Sequence, residues 1–431
     1  MWREAGEQLG KGANEGEGRM KIAELRLFRV EGERSPHDWD ERAVRSLDLY
    51  PEHDDVRADA WITSPHVSHI YLEVLTEEGA SGQYGPIDAR QAFLASTELR
   101  GLLIGADPLA GEQVHDKMLR LQRHGRAGLF VTALSAVDNA LWDLRGKVAR
   151  EPVYRLLGGP TRGRVPVYAS MLGFSVEPER AAAAAQEYRA RGFAAQKWFF
   201  RYGPAAGAEG MRCNLSLAES VRDAVGPGYR LMFDAVMGWD STYAADMLRG
   251  LEGIDPFWVE EPVPPERVEV FRRLAARSRV RLATGEHAHT RWQVRELLDS
   301  GAVGIVQTDP DWAGGITEQR HICSLCSAYD VPVVAHGHTV PAALHIAAAQ
   351  SPQTVPMVEY LIRVQEWTST SSARSTAPRT AHWRCRPNQD SVSILIPARS
   401  RADRNSRSAR DQHEPTGRLE SGSDRSALAS T

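Results

Sequence analysis

Three acidic residues at equal spacing constrain the fold of this chain more than any other sequence feature. Asp234 in RLMFDAV, Glu260 in PFWVEEP and Glu286 in RLATGEH each end a short apolar run, and successive members are 26 residues apart. A strand, a helix and two connecting loops occupy that much chain, so the spacing predicts three successive βα units. In a barrel built from such units, the C-terminal ends of all strands lie on one rim.

The three carboxylates would therefore lie close together on that rim. Carboxylates in contact repel one another strongly unless a cation lies between them. An all-oxygen ligand set suits Mg²⁺, which keeps positions open for water and for substrate oxygens. We predict that Asp234, Glu260 and Glu286 bind Mg²⁺; the alternative is that they cap the helices that follow.

The alternation of strand and helix continues on both sides of these carboxylates. Eight strands are predicted, at residues 165–170, 194–200, 229–236, 256–262, 281–287, 304–310, 331–337 and 354–361. Ala-, Leu- and Arg-rich helical runs lie between them, and eight strands at this spacing indicate an α/β barrel rather than an open sheet. Before the barrel, strand-like runs followed by helical runs indicate an α+β domain.

Composition and periodicity divide the chain into four parts. We predict a disordered leader at residues 1–19, an α+β domain at 20–150, a metal-binding barrel at 151–367 and an atypical tail at 368–431. The tail is rich in Ser and Arg, contains no lysine and loses both the helical and the strand period. It is predicted to be disordered or to be translated from a shifted reading frame.

The overall composition excludes several classes of protein. The chain has 431 residues, 42% of them hydrophobic, with a net charge of −4, and no apolar run is long enough to span a membrane. Four cysteines in a chain of this length do not form a disulfide framework, and Cys323 and Cys326 lie in a predicted helix. We therefore predict a cytoplasmic protein with no membrane or nucleic-acid partner.

Polar side chains also end other predicted strands, at Lys197, Asp309, His336 and Glu359. Because Asp309 and His336 end consecutive strands, the carboxylate could orient the imidazole and raise its basicity, which leaves the second ring nitrogen to move protons. The alternative is a histidine bonded to backbone alone. Lys197 is predicted to lie across the barrel from His336, and Phe199, on the same side of its strand, cannot carry a proton.

Three further histidines are candidates for substrate contacts. His37 and His53 lie in a long charged loop at residues 31–59, and His287 directly follows Glu286. A loop of that length in a compact domain is usually functional or mobile. His287 could equally be an ordinary loop residue, as could His289 and His338, which also flank the rim.

These features resemble the enolase superfamily, and within it the mandelate racemase and muconate lactonizing enzyme group. The run ALSAVDNALWDLRGK at residues 133–147 resembles the helical signature of that group. The acidic trio matches its Mg²⁺ ligands, Asp309 and His336 match its Asp–His dyad, and Glu359 matches the acid on the substrate-carboxylate side. The resemblance covers residues 20–367, and it implies a modified (β/α)₇β TIM-type barrel with an N-terminal α+β capping domain.

Departures from the group narrow the activity that the resemblance implies. Racemases of this group carry a second lysine in a KxK motif, which here reads Lys197-Trp198-Phe199. Mannonate and gluconate dehydratases carry a histidine two residues after the first metal ligand, where this chain has Val236. With one Asp–His dyad remaining, the resemblance is greatest to acid-sugar dehydratases of the rhamnonate dehydratase type.

The resemblance implies a mechanism in which a Mg²⁺-bound sugar acid loses water and becomes a 2-keto-3-deoxy acid through an enediolate. His336 would remove the α-proton and then protonate the departing 3-hydroxyl group, Lys197 would stabilise the substrate carboxylate, and Glu359 would hold its other side. A racemase, epimerase or cycloisomerase is the alternative on the same scaffold. A non-catalytic sugar-acid-binding relative with a damaged C-terminus is the alternative outside enzymes. The family also implies a homo-oligomer.

Overall fold

The computed structural model describes residues 19–33, 42–50, 52, 66–338, 340–369 and 382–384. The candidate substrate residues His37 and His53 lie outside the described residues, as do nearly all of the predicted leader and most of the predicted tail. The described part of the chain contains no helix that is both long and apolar enough to cross a membrane.

An antiparallel sheet of three strands begins the chain, in the order β1-β2-β3. The strands are β1 (Ile22–Glu33), β2 (His66–Thr76) and β3 (Ser81–Ile87). Helices follow: α1 (Ala89–Leu94), α2 (Arg100–Leu103), α3 (Gly111–Leu121) and α4 (Leu129–Ala149). One face of the sheet packs on α4 so closely that a Cβ at Gly82 would overlap the carbonyl oxygen of Ala140. This arrangement is the predicted α+β domain.

Helix α4 is almost entirely buried. Ala133, Val137, Leu141 and Leu144 recur at helical spacing, and none of them has exposed surface. The helix ends at Ala149, before the glycine pair at residues 158–159. Arg150 adopts the left-handed conformation that ends helices, Pro152 then prevents a regular continuation, and a separate short helix, α5 (Val153–Leu156), follows.

The second part of the fold is a curled parallel sheet surrounded by helices. Its strands are β4 (Arg164–Ser170), β5 (Ala195–Phe199), β6 (Arg230–Asp234), β7 (Trp258–Glu260), β8 (Leu282–Thr284), β9 (Ile305–Val306) and β10 (Val358–Leu361), in the order β10-β4-β5-β6-β7-β8-β9. The helices are α6 (Pro178–Ala190), α7 (Gly207–Val225), α8 (Ser241–Leu251), α9 (Val268–Ala275), α10 (Thr290–Asp299), α11 (Gly315–Ala328), α12 (Val340–Ala349) and α13 (Ile362–Ser369). The predicted barrel class is confirmed.

One predicted strand, at residues 331–337, does not form a regular ladder. Val333 makes an isolated parallel bridge with Val306, and the N–H of Glu359 donates to the carbonyl oxygen of Ala335 at 3.4 Å. The segment therefore lies between β9 and β10 with separate hydrogen bonds to each. Within the predicted tail, β11 (His382–Arg384) pairs antiparallel with β4.

The interior of the barrel is a cluster with one residue from each strand position. Its members are Tyr168, Ala195, Met232, Trp258, Ala283, Ile305, Val334 and Met357. Because side chains alternate along a strand, the residue two positions later faces the same interior, one layer nearer the C-terminal rim. This rim layer consists of Ser170, Lys197, Asp234, Glu260, Gln307, His336 and Glu359. Five of the seven predicted catalytic and metal-binding residues therefore face the barrel interior at a common depth.

Candidate active site

The amino group of Lys197 joins three carboxylates of the rim. Its Nζ lies 2.7 Å from Oε1 of Glu260, 3.0 Å from Oε1 of Glu359 and 3.1 Å from Oδ2 of Asp234. All four side chains are buried. Burial alone would lower the pKa of Lys197, but the charges of Glu260 and Glu359 outweigh it and hold that pKa well above its usual value. The surrounding carboxylates therefore favour the charged form of Lys197.

Desolvation destabilises the ionised forms of the three predicted metal ligands, of which Asp234 and Glu260 are buried and Glu286 has a side chain that is 15% exposed. Burial raises the pKa of Asp234 to about 6, of Glu286 to about 7 and of Glu260 to about 8. Neighbouring carboxylates contribute to these raised pKa values, for example Asp234 acting on Glu260. One lysine does not balance this much negative charge, so the cluster favours an additional cation.

Glu261, the second glutamate of the EEP motif, is a site residue that the sequence analysis missed. Ligand atoms of Glu261, Glu286 and His287 all lie within 4.8 Å of one another. Nδ1 of His287 is 3.1 Å from Glu261 and 3.5 Å from Glu286, and Thr284 donates a hydrogen bond to Glu261. Glu286 thus meets Glu261 and His287, while Asp234 and Glu260 meet at Lys197. The two adjacent glutamates of the EEP motif are the sequence feature from which Glu261 could have been predicted.

An irregular backbone brings Glu286 to the rim. Asp234 and Glu260 follow interior residues by two positions, whereas Glu286 follows Ala283 by three. Gly285 lies between them with a φ of 134°, and a Cβ there would lie 2.9 Å from the backbone nitrogen of Gln307. Glycine is needed at this position, because the close approach leaves no space for a Cβ and because residues with a side chain rarely adopt this φ.

Asp309 and His336 are in contact, as expected from their consecutive strands. Nδ1 of His336 lies 3.2 Å from Oδ2 of Asp309, and its Nε2 lies 3.4 Å from Oε2 of Glu286. The other oxygen of Asp309 accepts the backbone N–H groups of Asp311 and Trp312. Burial would lower the pKa of His336, but Glu286, the bond to Asp309 and Glu359 raise it to about 10.

Helix α4 fixes the loop that follows Asp309. Ser135 accepts the N–H of Gly314 at 2.8 Å, and Asp138 accepts the N–H of Thr317 at 2.9 Å. Asn139 contacts the same loop through two hydrogen bonds, to Pro310 and Ile316. The polar residues of the helical signature therefore position the loop that supports the Asp309–His336 pair.

Trp312 is a second residue that the sequence analysis did not single out as a contact. Its ring centroid lies 4.9 Å from that of His336, 5.2 Å from that of His338 and 6.3 Å from that of His287. The pKa of His287, which burial would lower, is raised to about 9 by its bond to Glu261 and the charge of Glu286. The aromatic ring thus forms a wall shared by three histidines.

Two more rim positions complete the site. Glu359 accepts the N–H of Gly337 at 2.9 Å, and burial, which would raise its pKa, is outweighed by Lys197 and His336, which lower it. Gln307 is fully buried, and neither of its amide atoms has a hydrogen-bond partner among the described residues. Phe199 faces Lys197, with Nζ 5.2 Å from the ring centroid, so it occupies the predicted side of β5.

Comparisons with known proteins agree with this architecture. The family described as "Enolase C-terminal domain-like" matches residues 180–378. The family "Mandelate racemase / muconate lactonizing enzyme, N-terminal domain" matches residues 58–158. An L-rhamnonate dehydratase of Saccharopolyspora erythraea is 34% identical over 333 residues, which are 74% of this chain and 82% of that protein.

Solved structures give the same result. A rhamnonate dehydratase from Gibberella zeae, complexed with Mg, superposes with a TM-score of 0.77 at 27% identity, over 90% of this chain and 96% of that chain. A racemase from Streptomyces coelicolor with bound magnesium has a TM-score of 0.65 at 26% identity, over 80% and 90% of the two chains. The chain therefore belongs to the enolase superfamily, within its mandelate racemase and muconate lactonizing enzyme group.

Proposed function

We propose that this chain is a Mg²⁺-dependent acid-sugar dehydratase that converts an aldonic or aldaric acid into a 2-keto-3-deoxy acid. The observation that carries the proposal is the His336–Asp309 pair, whose imidazole faces Glu286 beside a cluster of buried carboxylates. The name of the Saccharopolyspora relative supports L-rhamnonate, or a similar aldonate, as the substrate.

The donor set fits Mg²⁺. Asp234 and Glu260 are buried, the side chain of Glu286 is 15% exposed, and all three offer oxygen ligands; a bound cation would offset the burial that raises their pKa values. We assign the metal to these three residues, with Glu261 and His287 next to Glu286. When bound, Mg²⁺ supplies the charge that stabilises the negative charge developing on the substrate carboxylate, as in other enolase-superfamily sites.

His336 is assigned the proton transfers. Asp309 holds Nδ1, so Nε2 is the nitrogen that faces the rim and Glu286. With the charge of Glu286 offset by a bound cation, Nε2 would be free to remove the proton from the α-carbon and then deliver a proton to the hydroxyl that leaves from the next carbon. One imidazole acting as base and then as acid on one face of the substrate gives a syn elimination.

The opposite face of the site favours dehydration over racemisation. Racemisation needs a second proton carrier there, but Phe199 stands beside Lys197, and Lys197 is held as a cation by three carboxylates. We assign Lys197 to the substrate carboxylate oxygen that gains charge, and Glu359 to the other side of that carboxylate. Neither role requires Lys197 to release a proton.

The test is a product assay. Purified protein with Mg²⁺ is incubated with a library of aldonic and aldaric acids that includes L-rhamnonate, and 2-keto-3-deoxy acids are measured as their semicarbazones. Turnover of one or a few members is expected. Exchange of the α-proton with solvent deuterium, without loss of water, would contradict dehydration and favour a racemase. Light scattering on the same sample tests the homo-oligomer that the family implies.

A further inference from the structure

A second acid–imidazole pair lies beside the first. Asp311 follows Asp309 by two residues, His338 follows His336 by two, and Nδ1 of His338 lies 3.7 Å from Oδ2 of Asp311. The rings of His336 and His338 are nearly parallel, with centroids 6.5 Å apart, and both contact Trp312. The proposed mechanism uses only the first pair.

The second pair is supported from both parts of the fold. The hydroxyl of Tyr84, on β3 of the N-terminal domain, donates a hydrogen bond to Asp311, and both side chains are buried. Nε2 of Gln365 donates to the carbonyl oxygens of Gly337 and His338, at 3.0 and 3.2 Å. In contrast, the side chain of His338 is 31% exposed. Tyr84, Asp311 and Gln365 are thus buried, while the imidazole of His338 is accessible to a ligand.

We infer that His338 is a specificity-determining residue that contacts a hydroxyl group of the substrate beyond the reacting carbons, and that Asp311 is its positioning residue. The inference rests on the proposed function. With Nδ1 directed at Asp311, Nε2 is the nitrogen left to bond a hydroxyl group. A sugar acid whose reacting carbons lie at His336 extends along the wall formed by Trp312, and its next hydroxyls reach the neighbouring ring.

This geometry selects a class of substrate. The ligand is a polyhydroxy monocarboxylic acid that carries a hydroxyl group past the carbon that loses water. A short hydroxy acid would leave the Asp311–His338 pair without its contact. A second carboxylate at that position would face the acidic side chains of Asp311 and Asp309, so aldonic acids are favoured over aldaric acids.

The experiment compares substrates as well as variants. L-Rhamnonate and its 4-deoxy and 5-deoxy analogues are assayed with the Mg²⁺-loaded wild type, with His338→Ala, with His338→Gln and with Asp311→Asn. We expect His338→Ala to lower kcat/KM for L-rhamnonate by about tenfold or more, the size of one lost hydrogen bond in an enclosed site. For one of the two deoxy analogues, which already lacks the hydroxyl, the same change should have little effect.

The other variants separate contact from structure. His338→Gln retains a hydrogen-bonding group, so it should keep part of the preference for L-rhamnonate over the deoxy analogue that His338→Ala loses. Asp311→Asn should lower the same preference, as His338→Ala does. His321→Ala is the matched control, because His321 also pairs with an acid, Glu112, but on the outer helices α11 and α3. It should leave the ratio of kcat/KM values unchanged.

Two outcomes would overturn the inference. One is an equal loss of kcat/KM for all three compounds in His338→Ala, and the other is no loss for any of them. Calorimetric binding of the same three compounds gives the comparison without turnover. Absence of turnover in the wild type, with binding that discriminates the hydroxyl, would overturn the proposed function and leave the role of His338 standing.

Discussion

The carboxylate of Asp138 accepts two hydrogen bonds from Thr317, from its backbone N–H at 2.9 Å and from its hydroxyl at 2.7 Å. Asp138 lies on α4 and Thr317 on α11, and both are buried. The contact connects the N-terminal domain to the helix that follows the dyad loop. The stability of the fold and the precision of the site therefore depend on the same side chain.

Replacing Asp138 by Ala should leave two buried donors of Thr317 without an acceptor. We expect the free energy of unfolding to fall by about 3 kcal/mol, since each unsatisfied buried donor costs roughly 1–3 kcal/mol. Chemical unfolding measures this change. Asp116→Ala, which removes an exposed ion pair with Arg120 on α3, is the control and should leave stability unchanged. An equal stability of the two variants would contradict the role of Asp138.

Removal of the metal should both inactivate and destabilise the protein. Chelation leaves the carboxylates of Asp234 and Glu260 with Lys197 and that of Glu286 with His287 and His336, whereas Mg²⁺ binds the folded state alone and stabilises it by mass action. Thermal unfolding of the chelated protein should shift upward as Mg²⁺ is added. The same ionic strength of NaCl should not reproduce the shift, and a midpoint indifferent to Mg²⁺ would argue against the site.

The two glutamates of the EEP motif should respond differently to substitution. Glu260 is a rim residue that accepts hydrogen bonds from Lys197 and Trp258, whereas Glu261 lies outside the rim layer and accepts a hydrogen bond from Thr284. We expect Glu260→Gln to weaken Mg²⁺ binding by about tenfold or more, and Glu261→Gln to weaken it less, as for residues outside the direct ligand set. Calorimetric titration with Mg²⁺ measures both. The reverse order would transfer the ligand role to Glu261.

His345 should make the fold sensitive to acid. It is partly buried on α12, its Nδ1 accepts the N–H of Tyr154, and desolvation lowers its pKa from 6.5 to about 4. Between these two pH values the unfolded chain binds a proton that the folded protein does not. The contribution of His345 to the free energy of unfolding is therefore fully present above pH 6.5. It decreases as the pH falls towards 4, by about 3 kcal/mol in total.

The measurement is the pH dependence of unfolding free energy in the wild type and in His345→Gln. The glutamine can still accept from Tyr154 but does not titrate, so the difference between the two proteins should shrink or reverse as the pH falls from 6.5 to 4. His124→Gln, at an exposed position, serves as the control. Parallel curves for wild type and His345→Gln would show that His345 contributes nothing to acid sensitivity.

The sequence predicted the barrel well because its signal is repeated. Strands such as β5 and β6 bring Lys197 and Asp234 into the rim layer with ordinary two-residue alternation, so spacing alone located them. The contact between Asp309 and His336 followed from consecutive strands in the same way. The strand predicted at residues 331–337 does not form a regular ladder. A periodic apolar pattern does not reveal whether the two neighbouring strands lie close enough for continuous backbone hydrogen bonding.

Other features were not predictable from spacing. Glu286 reaches the rim only through the unusual backbone at Gly285, and Glu261 joins it because its own φ is +38°. Neither conformation has a sequence period. Trp312 and the Asp311–His338 pair depend on a loop whose shape is set by α4, far away in sequence, so their proximity required the folded structure.

The central claim is that His336, oriented by Asp309, moves the protons of a dehydration reaction. Its most direct test is His336→Asn, assayed for 2-keto-3-deoxy product with the acid that the wild type turns over, alongside calorimetric titration with Mg²⁺. We predict that turnover falls by about a hundredfold to ten-thousandfold, as when a general acid–base group is removed, while Mg²⁺ affinity remains within a few fold. Substantial dehydration by His336→Asn, with Mg²⁺ bound, would contradict the account.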